Sequence, residues 1–141
     1  LQHVASGLFA YGAYGKQQND SLYTSAVANA NRQDGTNWYV KGGIRQKWLP
    51  YGHSVAYGEY ANSSDALSTT AMADGFNASS VTWWGVGLVQ EIDAAAMSLW
   101  IKYRNVNGDM TCAGNGVCGA AGTKVDLDQF QLVSFGALIS F

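Results

Sequence analysis

The sequence predicts an all-β fold in which about six antiparallel strands run up and down as part of a transmembrane β-barrel. Three observations predict it: apolar and polar residues alternate with a period of two, tryptophans stand at both ends of one such segment, and long connections alternate with short ones. The composition agrees, because 48% of the 141 residues are apolar and only 13% are charged. That is about half of the ~25% charged residues of an ordinary soluble domain.

The clearest strand covers residues 36–49. A strand sends alternate side chains to opposite faces, so one face is apolar with Trp38 and Trp48 at its ends, and the other carries Lys41, Arg45 and Lys47. Ten residues at a tilt of ~40° rise about 25 Å, which is the height of the lipid-facing band of an outer-membrane barrel. A half-buried strand of a soluble sandwich is the alternative, and it explains the alternation but not the paired tryptophans.

Four other segments also alternate, although less cleanly at residues 132–141 and with an ambiguous phase at residues 54–62. A first strand at residues 4–14 has no assignable phase. In the third strand, Glu59 decides which set of alternate residues faces lipid, because the opposite assignment would place a carboxylate in hydrocarbon. These four strands are predicted at residues 54–62, 81–91, 94–104 and 132–141. Their lipid-facing residues are Ala56, Gly58, Tyr60, Trp84, Val86, Leu88, Ala95, Met97, Leu99, Ile101, Tyr103, Val133, Phe135, Ala137, Ile139 and Phe141.

The predicted connections fall into two classes. Residues 49–52 and 91–93 are short turns, whereas residues 15–35, 63–79 and 105–123 are long polar loops. Outer-membrane barrels keep short turns at the periplasm and long loops outside, so the N-terminus and Phe141 are both expected at the periplasmic side. An extra strand at residues 22–27 would invert this topology.

Three stretches resemble a known family. Residues 42–50, 57–60 and 132–141 are similar to the C-terminal part of alphaproteobacterial outer-membrane porins, and the ending resembles the general outer-membrane signature of an alternating strand with a terminal Phe. This resemblance implies a location in the outer membrane of a Gram-negative bacterium, a barrel of about 16 strands, and assembly as a homotrimer. It also implies that the barrel-assembly machinery reads the strand ending in Phe141.

Six strands are too few for a closed barrel, because the smallest single-chain barrels have eight and an open edge leaves backbone groups unpaired in lipid. We expect residues 1–141 to be a single segment, the C-terminal portion of a larger barrel, without separate domains. The alternatives are closure with other chains, or two further strands inside the long loops. The expected partners are therefore the remaining strands, outer-membrane lipid and lipopolysaccharide.

The predicted function is passive diffusion of ions and small hydrophilic solutes through a water-filled pore, because rings of charged side chains set ion preference. An equally favoured interpretation is that these charges only solvate a wide lumen or pair with one another. The candidate pore-lining residues are Lys41, Arg45, Lys47, Glu59, Glu91, Lys102, Arg104, Asp126 and Asp128. The candidate lipid-facing aromatic girdle is Trp38, Trp48, Trp84, Tyr103, Phe135 and Phe141.

Other functions find little support in the sequence. A net charge of −2 argues against nucleic-acid binding, no hydrolase or phosphate-loop motif occurs, and no cofactor or metal site is predicted. Cys112 and Cys118 are expected to form a disulfide. Asn105, Asn107, Asp109, Asp126 and Asp128 could offer oxygen ligands to Ca²⁺, but their spacing matches no complete calcium loop. Two alternatives remain open: a structural or adhesive barrel with a plugged lumen, and a soluble carbohydrate-binding β-sandwich.

Overall fold

A computed structural model describes residues 1–18, 34–66, 75–114 and 118–140 of the chain. These residues form one antiparallel sheet of eight strands. The strands are β1 (Gln2–His3), β2 (Leu8–Gln17), β3 (Gly35–Leu49), β4 (Gly52–Ser64), β5 (Phe76–Ile92), β6 (Met97–Cys112), β7 (Lys124–Asp126) and β8 (Phe130–Ile139). Within the described ranges, no helix has the length and apolar character needed to cross a membrane.

The strands lie in chain order from β1 to β6, so each strand pairs with the one that follows it. The last two strands share one edge: β7 pairs with Asp109–Thr111 of β6, and β8 pairs with Met97–Val106 of the same strand. The predicted antiparallel, up-and-down order is confirmed over the six long strands, and the structure adds two short ones. The sheet is not closed among the described residues.

Both predicted short connections are present. Leu49 and Gly52 pair across the first turn, and a single 3₁₀ turn at Asp93–Ala95 joins β5 to β6. The Ala96 N–H donates to the Asp93 carbonyl at 3.3 Å and closes this second turn. Ala95, assigned above to a lipid-facing strand phase, therefore belongs to the turn instead.

The strand ends differ from the prediction. β2 begins at Leu8 rather than at residue 4 and continues to Gln17, while β5 begins at Phe76 and β6 continues to Cys112. The long loops are therefore shorter than predicted, because strand residues occupy their ends. Alternating hydrophobicity stops where both faces become polar, whereas strand pairing needs only backbone hydrogen bonds. The possible extra strand at residues 22–27 lies outside the described residues.

Strand register places the predicted outward phases on one side of the sheet. Ile44 is opposite Ala56, Ala56 opposite Leu88, and the same row continues through Ile101 to Phe135. We call this side the apolar face and the other side the charged face. The phase of β2 is also resolved, because Leu8 pairs with Ile44 and so Leu8, Ala10, Gly12 and Tyr14 belong to the apolar face.

Candidate functional site

The apolar face is the more exposed side of the sheet. Val86 is 51% exposed, Leu88 56% and Phe135 79%, whereas only Ala61 and Cys112 are buried apolar residues in the described part of the chain. Soluble proteins bury such residues, and large contiguous apolar patches on their surfaces mark contact with another apolar phase or partner. The apolar face is a patch of this kind.

Polar side chains border the apolar face at both ends of the strands. At one end Asn62 donates to Thr82 Oγ1 at 2.9 Å and to Ser80 Oγ at 3.4 Å. At the other end Ser54 donates to the Gln90 side chain. Positions 54 and 62 of β4 are about 26 Å apart along the strand, or about 20 Å in height at a tilt of ~40°. The apolar band between these polar borders is therefore no taller than about 20 Å, compared with ~25 Å in outer-membrane barrels.

An aromatic row crosses β3 to β6 and begins at the polar border that contains Asn62, since Trp38 is the cross-strand partner of Asn62. The ring centroids of Trp38 and Tyr60 are 5.0 Å apart, and those of Trp84 and Tyr103 are 5.6 Å apart. Tyr60 and Trp84 are direct cross-strand partners and connect the two pairs. The aromatic row unites three of the predicted girdle residues and adds Tyr60 to them.

The other predicted girdle residues lie elsewhere. Trp48 is 54% exposed at the opposite end of β3, beyond a register irregularity between Gln46 and Leu49. Phe135 pairs with Ile101 in the middle of the apolar band rather than at its edge. Phe141 lies outside the described residues.

The charged face contains a buried carboxylate. The Glu59 side chain is only 3% exposed; it accepts a hydrogen bond from Arg104 Nε at 2.7 Å and one from the Tyr39 hydroxyl at 2.8 Å. Lys41 is the cross-strand neighbour of Glu59 on β3. Burial of an ionised carboxylate requires such charge-assisted partners, so this cluster holds Glu59 in a defined position.

A second charge cluster lies toward the turn ends of the same strands. Arg45 donates through both Nε and Nη2 to the two carboxylate oxygens of Glu91, with a distance of 3.1 Å from Nε to Oε1. His53 Nδ1 lies 3.6 Å from Glu91 Oε2. The side chains are 28–39% exposed, so water screens this cluster more than it screens the Glu59 cluster.

Three cations of the charged face lie against aromatic rings, an arrangement that attracts a cation to the ring quadrupole. The pairs, with the distance from the cation to the ring centroid, are Lys41 with Tyr57 at 3.6 Å, Arg104 with Trp83 at 4.2 Å, and Lys102 with Trp100 at 5.4 Å. Two of the rings lie across glycines: a Cβ at Gly87 would overlap Tyr57, and one at Gly136 would overlap Trp100. These glycines make room for the rings to lie flat on the sheet.

The structure brings six of the nine predicted pore-lining residues to the charged face: Lys41, Arg45, Glu59, Glu91, Lys102 and Arg104. Lys47 is exposed beyond the irregularity in β3. Asp126 pairs with Asp109, so it is on the same side of the sheet as the apolar face, although beyond the polar border of that face. Asp128 is exposed between β7 and β8. Sequence reasoning missed the ring partners Tyr39, Tyr57, Trp83 and Trp100, although each shares its strand phase with a charged residue.

Comparisons with known proteins were made at three levels. No family model, curated protein or solved structure matches this chain.

The predicted disulfide is confirmed: Cys112 and Cys118 are bonded, with their Cα atoms 5.6 Å apart. One oxygen considered for calcium is already hydrogen-bonded, since Asn105 Oδ1 accepts from Asn107 at 3.2 Å and from Gln129 at 2.8 Å. In the described residues, no group of three or more side chains is arranged to hold a metal ion.

Loss of this disulfide should destabilise its loop. Closing a loop of about seven residues removes chain entropy equivalent to roughly 2 kcal/mol. We expect the Cys112→Ala/Cys118→Ala variant to be cleaved faster by a protease between residues 112 and 124, with the rest of the sheet unaffected. Limited proteolysis followed by mass spectrometry measures this, with reduced wild-type protein as the control. Equal cleavage rates for oxidised wild type and variant would contradict the prediction.

Proposed function

We propose that this chain forms part of an outer-membrane β-barrel porin that lets ions and small hydrophilic solutes diffuse passively. The observation that carries the proposal is the inverted exposure of the sheet. In the apolar band of β3 to β6, large apolar side chains such as Val40, Val86 and Ile101 are exposed, while on the charged face Glu59 is buried and its charged neighbours are half-buried. This arrangement suits hydrocarbon outside and water inside.

Side-chain contacts on the charged face support a sheet that curves toward that face. Arg45 on β3 reaches Glu91 on β5, and Arg104 on β6 reaches Glu59 on β4, so each contact spans an intervening strand. Tyr39 and Trp83 also contact each other from β3 and β5. On the apolar face the ring contacts join only adjacent strands. Crowding on the inner side is typical of a sheet that curves into a barrel.

The unpaired edges of the sheet are evidence for additional strands in the proposed barrel. β1 pairs with Leu8 and Phe9 only, which leaves most of the outer edge of β2 without a strand partner in the described residues. The outer edge of β8 is likewise unpaired within those residues. Unpaired backbone groups cost several kcal/mol each in hydrocarbon. A barrel would therefore need further strands at these two edges, from the same polypeptide or from other chains.

The charge arrangement supports a preference for anions. Glu59 is paired with Arg104 and Glu91 with Arg45, whereas Lys41 and Lys102 make no ion pair with any described carboxylate. The charged face of β3 to β6 thus has an excess of positive charge. Fixed charges lining a pore attract counter-ions and set ion preference.

Reconstitution tests the proposal. Full-length protein that contains this chain is purified in detergent and added to planar phospholipid bilayers. We expect stepwise conductance increments that scale with salt concentration, as for a water-filled pore. A monodisperse, detergent-free soluble protein that produces no conductance would overturn the proposal. A stable membrane-inserted protein without conductance would indicate a plugged structural barrel instead.

Charge removal from the pore should change its ion preference. We expect the Lys41→Gln/Arg45→Gln variant to shift the reversal potential in a salt gradient toward cations, because the remaining Glu91 then lacks its partner. The measurement is the zero-current potential across a tenfold potassium chloride gradient. The control, Lys124→Gln/Lys16→Gln, removes the same charge outside the charged face. An unchanged potential in the first variant would contradict the prediction.

A further inference from the structure

Aromatic rings form a second row on the charged face. The ring centroids of Tyr11 and Tyr39 are 5.9 Å apart, and those of Tyr39 and Trp83 are 5.6 Å apart. Tyr11 is 59% exposed, so its ring is open to solvent on this side of the sheet. Rings at such separations pack favourably in tilted or offset geometry, and an additional planar ring could join the open end. We call these three residues the inner aromatic row.

A row of charges continues across the sheet from Tyr11, which is the cross-strand partner of Lys41. Lys41, Glu59, Gly85 and Arg104 are successive cross-strand partners from β3 to β6. The Arg104 side chain crosses Gly85, where an added Cβ would come within 3.0 Å of Arg104 Cγ. One carboxylate thus stands between two cations, and the row has an excess of one positive charge.

The donors of this charge row are incompletely used. Among the described residues, Arg104 donates to a carboxylate only through Nε, to Glu59. Lys41 contacts the Tyr57 ring and makes no ion pair with a described carboxylate. An ammonium and a guanidinium with unused N–H groups bind carboxylates well. A second carboxylate, supplied by a solute, would balance the charge of the row.

We propose that the two rows together bind a small aromatic carboxylate, with its carboxylate near Lys41 and Arg104 and its ring against Tyr11 and Tyr39. Tyr39 and Lys41 are two positions apart on β3, or about 6.6 Å along the strand, a spacing that a one-ring acid can bridge. Inorganic anions would satisfy only the charge row and leave the inner aromatic row unused. The inference rests on the proposed function, because solutes reach this face only if water fills the space in front of it.

Equilibrium dialysis of labelled benzoate against purified full-length protein in detergent tests the site without requiring a channel. Cyclohexanecarboxylate has the same charge and a similar size but no π face, so it is the matched probe. We expect benzoate to bind roughly fivefold more tightly, as one aromatic contact of ~1 kcal/mol provides. Lys41→Gln should weaken binding of both probes by about tenfold. Tyr11→Leu should remove the preference for benzoate, and Lys124→Gln should change neither affinity.

Several results would overturn the inference. These are equal affinities of the wild type for the two probes, unchanged benzoate affinity in Lys41→Gln, or no saturable binding at all. Because Tyr11 is exposed, Tyr11→Leu should fold even if a substitution at Lys41 disturbs the Glu59 cluster. Conductance without benzoate binding would overturn this inference alone. Benzoate binding without conductance would leave the site intact and overturn the porin proposal.

Discussion

Arginine in place of Val86 is expected to destabilise the protein in lipid bilayers by about 2–4 kcal/mol, the cost of a cation at the middle of a lipid-facing barrel surface. Val86 lies midway between the polar borders on β5 and is 51% exposed. In a soluble protein the same half-exposed position would tolerate arginine within about 0.5 kcal/mol. The substitution therefore separates a lipid-facing surface from a water-facing one by a large margin.

Gln90→Arg provides the matched control for Val86→Arg. Gln90 lies on the same strand and the same face, four positions away at the polar border. A cation there should cost about 0–1 kcal/mol in addition to the hydrogen bonds of Gln90 with Ser54, His53 and Glu91 that the substitution removes. Both variants are unfolded with guanidinium chloride in phospholipid vesicles, and their free energies of unfolding are compared with that of the wild type. Equal costs at the two depths would show that the apolar face does not contact hydrocarbon.

Glu59→Gln is the second substitution with a large expected effect. It removes the charge of a carboxylate that accepts hydrogen bonds from Arg104 Nε at 2.7 Å and from the Tyr39 hydroxyl at 2.8 Å. The Glu59 side chain is only 3% exposed. Loss of a charge-assisted hydrogen bond and an uncompensated Arg104 should together lower the free energy of unfolding by about 2 kcal/mol. The value is below the full cost of breaking a buried pair because Arg104 remains 31% exposed.

Two further variants make this prediction specific. Glu91→Gln breaks the more exposed pair with Arg45 and should cost under about 1 kcal/mol. In the double variant Glu59→Gln/Arg104→Met the uncompensated cation is gone, so part of the lost stability should return. Unfolding in denaturant measures all three. An equal loss for Glu59→Gln and Glu91→Gln would show that burial does not distinguish the two clusters.

Several features follow from local patterns and were predictable. The phases of β3, β5 and β6 depend on alternation, and that of β4 on the charge of Glu59, so Trp38, Val86 and Ile101 could be assigned to one face without knowledge of their neighbours. The turn at Pro50 and the Cys112–Cys118 disulfide are likewise short-range features. Each of these is specified by residues within one strand, turn or loop.

Pairing between strands was not predictable, because it depends on register. β2 has small and aromatic residues in both phases, and only its pairing of Leu8 with Ile44 selects the apolar one. Asp126 was predicted to line the pore because of its charge. Its register opposite Asp109 instead puts it on the side of the sheet that carries the apolar face. The ends of β2 and β6 extend into polar sequence, where hydrophobic alternation provides no signal.

The sequence by itself determined that this protein has a two-faced antiparallel sheet with few charges and one face that is free of charge along the middle of its strands, since alternation is a property of the backbone pleat. Only the tertiary structure decided which charges neutralise each other. Arg104 and Glu59 are 45 positions apart, and Arg45 and Glu91 are 46 apart. Their meeting requires three aligned strands and glycines such as Gly85 over which a side chain can cross. The position of a residue relative to one two strands away depends on the register of both strand pairs. A local pattern can therefore assign each residue to a face without determining its ion-pair partner.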